Sequence, residues 1–211
     1  MAGEYNQEIP LTKAAAIFTA AAAVVVILCI AIGEAFFWDR YDTIDPVDKD
    51  IAYYSRISAE QPDNDNALVE LGWRYYRKGN FQEAVKALEK AAELNRSNVA
   101  AHFNLALSYK EMGLLGKAEE EFNRVITLEE DHKLVPFYMG KMYLEQRRYD
   151  DAIKHLQRAV QLDPVSADGH YLLGSAYAAK GHNEEALAAF ERCLQLAPGH
   201  EEARAAANGL E

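Results

Sequence analysis

Positive charge is in short supply in this chain. Its 211 residues hold 22 Lys and Arg against 33 Asp and Glu, a formal net charge of −11. Gripping nucleic acid needs a dense basic face that neutralises phosphates, so no nucleic-acid partner is expected. Cysteine is scarcer still. The two present, Cys29 and Cys193, cannot staple a fold, and Cys29 lies inside an apolar run. Chemistry-bearing patterns are missing too. The histidines His102, His132, His155, His170, His182 and His200 fall at no metal-ligand spacing. No Ser or Cys sits in a base-and-orienter arrangement. Gly113-Leu114-Leu115-Gly116-Lys117-Ala118 has the look of a phosphate loop but lacks a glycine five residues before Gly116 and a Ser or Thr after Lys117. No enzyme activity, cofactor, metal or small-molecule substrate is therefore expected. With 50% hydrophobic and 26% charged residues, the chain is neither a disordered tail nor a multi-pass transporter.

One long apolar run is present. The 20 residues from Ala14 to Gly33 carry no charge, and a helix of about 20 residues crosses a bilayer's hydrocarbon core. Lys13 closes the run on one side. Glu34 and the aromatic trio Phe36, Phe37 and Trp38 close it on the other, where such rings suit the headgroup region. A cleaved signal peptide has a shorter apolar core, about 7–15 residues, and a more basic start. Ala31-Ile32-Gly33 offers only a faint cleavage site, and bulky Leu28 disfavours lipidation of Cys29. The expectation is a tail at 1–13, a single transmembrane helix at 14–38 touching the lipid bilayer, and an acidic linker at 39–45. Lys13 and the terminal amine favour the short side as cytoplasmic. That expectation makes the protein a single-pass membrane protein with its large domain on the extracytoplasmic side.

Past residue 62 the chain copies itself every 34 residues. Leu71-Gly72, Leu105-Ala106, Met139-Gly140 and Leu173-Gly174 stand in one register. The same register carries Tyr75, Tyr109, Tyr143 and Tyr177, then Ala84, Ala118, Ala152 and Ala186. It continues through Leu88, Phe122, Leu156 and Phe190, then Ala91, Val125, Ala159 and Cys193. Small residues in the Gly72 and Ala84 columns let two antiparallel helices cross closely, and the Tyr75 and Leu88 columns fill the space beside the crossing. Gly79, Gly113 and Gly181 lie between the two apolar stretches of a unit, where a left-handed turn is needed; Arg147 stands there in the third unit. Pro164 and Pro198 stop the second helix.

This skeleton resembles the tetratricopeptide repeat, with the same 34-residue period and the same L-G-x-x-Y … A … F … A … P order. Departures are Ala106 for glycine, Arg96 and Glu130 for proline, and Arg147 for the turn glycine. The resemblance implies an all-α fold: a right-handed α-solenoid of helix-turn-helix repeats, here preceded by one transmembrane helix. Repeats are expected at 65–98, 99–132, 133–166 and 167–200. A degenerate leading half-repeat helix falls at 46–62, with Asp45 as its N-cap, and a polar capping helix at 201–211.

First-helix positions one residue past the packing column should point into the hollow of such a stack. They are Val69, Phe103, Phe137 and Tyr171; then Trp73, Leu107 and Lys141; then Tyr76 and Lys110. That groove is aromatic and apolar, and exposed apolar patches mark binding sites. The dicarboxylate clamp of some family members needs Lys and Asn on paired first helices; Val69 and Trp73 stand there in the first repeat, so that activity is not expected. Function is read as a membrane-anchored scaffold or adaptor that holds a peptide or helix of a partner protein. The alternative is a permanent structural or assembly subunit of a larger membrane complex, without peptide capture.

Overall fold

The computed structural model describes Val24 and residues 45–210. Ten helices run in chain order among the described residues. They are α1 (Pro46–Glu60), α2 (Asp65–Arg77), α3 (Phe81–Leu94), α4 (Val99–Glu111), α5 (Leu115–Leu128), α6 (Leu134–Glu145), α7 (Tyr149–Leu162), α8 (Ala167–Lys180), α9 (Asn183–Leu196) and α10 (Glu201–Asn208). No strand occurs among these residues. The four pairs from α2/α3 to α8/α9 are the hairpins of the 34-residue period, and each second helix packs on the next first helix. From Asp50 onward the chain forms one compact unit.

One residue per period starts each first helix. Asn64, Asn98, His132, Ser166 and His200 accept hydrogen bonds from the backbone N–H groups of Ala67, Ala101, Val135, Gly169 and Ala203 at 3.0–3.3 Å. Each such bond satisfies an orphan donor of the first turn. The hairpin turns share another device. Gly79, Gly113 and Gly181 have φ of 80°, 74° and 83°, and Arg147 adopts 61° in the same slot. Its turn is held by the same backbone bonds as the glycine turns, Arg147 N–H to Leu144 O and Arg148 N–H to Tyr143 O. The arginine is thus forced into a conformation that its β-carbon disfavours.

The tyrosine column latches neighbouring repeats together. Tyr109 donates its hydroxyl to Glu89 at 2.5 Å, and Gln157 donates to the Tyr177 hydroxyl at 2.7 Å. Tyr143 bonds to Glu119 in the same way. One apolar core runs through the repeats, and a second, around Ala186, Phe190 and Cys193, is closed by Ala203 and Ala207 of α10. At the leading end no residue of α1 is buried. Arg74 of α2 meets α1 through Asp50 at 2.8 Å and lies 5.5 Å from the Tyr54 ring.

The expected localisation is overturned. No helix among the described residues is long and apolar enough to cross a membrane. The tail 1–13, the span 14–38, the linker as far as residue 44 and the lipid contact assigned to 14–38 fall outside the described residues, Val24 excepted.

Candidate functional site

The nine side chains expected in the groove divide into three groups. Val69 and Leu107, 7% and 3% exposed, belong to the core and offer no surface to a ligand. They are corrected here from groove to packing positions. The reason is local crowding: both lie in the apolar cluster that also takes in Trp73, Tyr76 and Phe103 along its margin.

The second group is half-buried against the protein's own rings. Trp73 stacks on Tyr76 with centroids 5.3 Å apart and an 11° interplanar angle, and Tyr76 leans on Phe81 at 5.6 Å. Burial, then the negative charge of Glu111, raise the Tyr76 phenol above its ordinary value; Tyr138 of the third repeat adds to the shift. Phe103 is boxed by Phe122 at 6.1 Å, His132 at 5.0 Å and Tyr138 at 5.7 Å. Tyr171 packs on Phe190 at 6.0 Å and on His200 at 4.7 Å. Such edge and offset contacts hold rings rigidly while leaving an edge or face open. Lys110 is tied up as well: its side chain is 12% exposed, 3.1 Å from Glu111 and 4.0 Å from Glu145.

Phe137 and Lys141, one turn apart on α6, make up the third group. Phe137 packs edge-on to Tyr138 at 5.5 Å and lines a cleft of about 130 Å³ with Leu134, Tyr138 and Ala159. Lys133, Asp163, Ser166 and Asp168 complete its wall. Lys141 is exposed and has no ion-pair partner among the described residues.

Leu134 and Tyr138 line the cleft beside Phe137, and His132 packs on Phe103; the expected ladder missed all three. His132 had a visible signal, because it sits in the capping column with Asn64, Asn98, Ser166 and His200. Leu134 had a subtler one. Its column otherwise reads Asn66, Ala100 and Asp168, and this large apolar side chain is 52% exposed. Tyr138 had none, since its orientation depends on the preceding repeat.

Other candidate groups singled out in the sequence are taken up by the fold. His102, 4% exposed, sits 2.5 Å from Glu121 and 3.0 Å from the Arg96 carbonyl oxygen. Burial pushes the Cys193 thiol up and the His155 imidazole down, away from their charged forms. Lys117 of the loop-like glycine run lies 5.1 Å over the Tyr109 ring, on the first turn of α5.

Family models described as TPR repeat or tetratricopeptide repeat match residues 72–113 and 140–181, 99–132, and 167–200, together more than half of the chain. The type IV pilus assembly protein PilF of Pseudomonas aeruginosa is 30% identical over 87 residues, 41% of this chain and 34% of PilF. The chain thus matches about a third of the length of that curated relative. The solved structure titled "Functional Characterization of Pseudomonas Aeruginosa pilF" aligns at a TM-score of 0.63 with 26% identity, over 69% of this chain and 67% of that one. MamA aligns at 0.67 with 23% identity, over 77% of this chain and 98% of that one. YrrB, described as a TPR protein with an unusual peptide-binding site, aligns at 0.66 with 20% identity, over 74% and 81%. At those identities the likeness to MamA and YrrB is one of fold.

Proposed function

We propose that this chain, which belongs to the tetratricopeptide repeat family, is a protein-interaction scaffold whose groove holds a peptide or helical segment of a partner protein. The carrying observation is the pair Phe137 and Leu134. An exposed leucine beside a cleft-lining phenylalanine, on a helix otherwise packed into the core, has no structural task that a polar residue would not perform. Trp73 and Tyr76 extend the aromatic surface in the first repeat, and Tyr171 in the fourth. The Phe103 ring, already braced by Phe122, His132 and Tyr138, loses little freedom on binding, which favours affinity.

A photoreactive side chain at position 137 of the full chain, irradiated in its native extract, should capture one defined protein. Leu134→Ala and Phe137→Ala should abolish that capture with little loss of stability. Leu107→Ala should instead cost about 2–5 kcal/mol of stability, as buried leucines do. Capture that survives both groove substitutions would refute the groove.

A second reading keeps the scaffold but not the peptide: a lasting subunit in the assembly of a larger complex. The similarity to a pilus assembly protein favours it. Under that reading, partner co-purification would withstand Phe137→Ala and would fail when exposed charges of the second helices, such as Lys90 and Lys154, are reversed.

A further inference from the structure

The cleft between α6 and α8 has a feature that a merely apolar groove would not need: its rims carry opposite charges that do not neutralise each other. Lys133 stands on one rim and Asp163 and Asp168 on the other, all lining a space of about 130 Å³. No lysine–aspartate bridge closes across it among the described residues; Asp168 lies 3.7 Å from the His200 imidazole. Lys141 continues the positive rim one turn along α6 from Phe137 and has no ion-pair partner among the described residues either. Several bases elsewhere are taken up by the stack itself. Lys110, Arg148 and Arg158 pair with carboxylates of neighbouring repeats, and so does Lys180 with Asp150. Lys133 and Lys141 thus keep their charge available beside the cleft, with no carboxylate partner among the described residues.

Resting on the peptide-groove reading above, we propose that this cleft takes the aliphatic anchor of a partner segment with acidic residues on one flank of the anchor and basic residues on the other. The anchor sits among Leu134, Phe137 and Tyr138. The acidic flank faces Lys133 and Lys141, and the basic flank faces Asp163 and Asp168. Hydrophobic burial supplies affinity, while the split charge fixes the direction in which the segment lies. A segment with one sign on both flanks meets repulsion at one rim, which is how mismatched partners are rejected. Exposed ion pairs each change affinity by up to about fivefold, so the combined preference is on the order of tenfold.

Fluorescence anisotropy on the full chain tests this with four labelled peptides sharing a central leucine: Glu flank then Lys flank, the reverse order, Glu on both flanks, and Lys on both. One of the two mixed peptides should bind roughly tenfold more tightly than either uniform peptide, as the summed pairs require. The double variant Lys133→Glu, Lys141→Glu makes both rims acidic and should switch the preference to the all-lysine peptide; both positions are exposed, so circular dichroism should not change. Equal affinity for all four peptides, undisturbed by the charge reversals but lost with Phe137→Ala, would overturn the charge assignment and leave the groove standing. Failure of every peptide to bind at millimolar concentration would overturn both.

Discussion

A β-carbon placed on Gly72 would lie 2.5 Å from Cγ of Leu88, inside the contact distance of any two carbons. Gly140 stands in the same relation to Leu156, and Gly174 to Phe190 at 2.7 Å. The two helices of a hairpin therefore cross at a distance that glycine sets. In the second repeat Ala106 occupies the column fully buried, with Phe122 across from it.

Gly72→Ala should destabilise the fold by about 1–3 kcal/mol, the usual cost of overpacking. Urea denaturation would measure it, and Leu88→Ala in the same chain should reduce the penalty through coupling of the touching pair. An equal penalty in both backgrounds would mean that the crossing is not limited by this contact.

Arg147→Gly should stabilise the protein. Relief of left-handed strain is worth about 1–2 kcal/mol, offset by about 0.4–1 kcal/mol from the greater freedom of glycine in the unfolded chain. A net gain of up to about 1.6 kcal/mol is expected as a higher urea midpoint at unchanged slope. Gly113→Ala, at φ 74°, should move the midpoint the other way.

Alkali should unfold the stack through its tyrosine latches. Burial first, and then hydrogen bonding to Glu89 and Glu119, raise the phenols of Tyr109 and Tyr143 above their ordinary value of 10.0. A group whose pKa is raised on folding contributes stability that is fully present below its unfolded value and fades as pH climbs toward its folded one. Stability should thus decline as pH passes 10. The double variant Tyr109→Phe, Tyr143→Phe, less stable at neutral pH for want of its hydrogen bonds, should show a shallower decline there. Parallel curves for the two proteins would contradict the linkage.

Only part of the candidate site could be read from the sequence, and the misplacements have one cause. The ladder of first-helix positions drew Val69 and Phe137 from the same column, yet one is core and the other lines a cleft. Phe103, expected at the groove's centre, has its ring boxed by His132 and Tyr138, the latter 35 positions further along the chain. Lys110 and Lys141 look alike in sequence, but Glu111 and Glu145 converge on the first and leave the second.

The sequence determined the 34-residue register, the columns where helices cross and the turn that Arg147 strains, and through the family resemblance that register carries it implied the all-α hairpins. These are properties of period and backbone sterics within one unit, which a linear string carries in full. Which groove side chains remained available was decided only in three dimensions. Exposure is a relation between a residue and neighbours contributed by other repeats, and no column within a repeat encodes it.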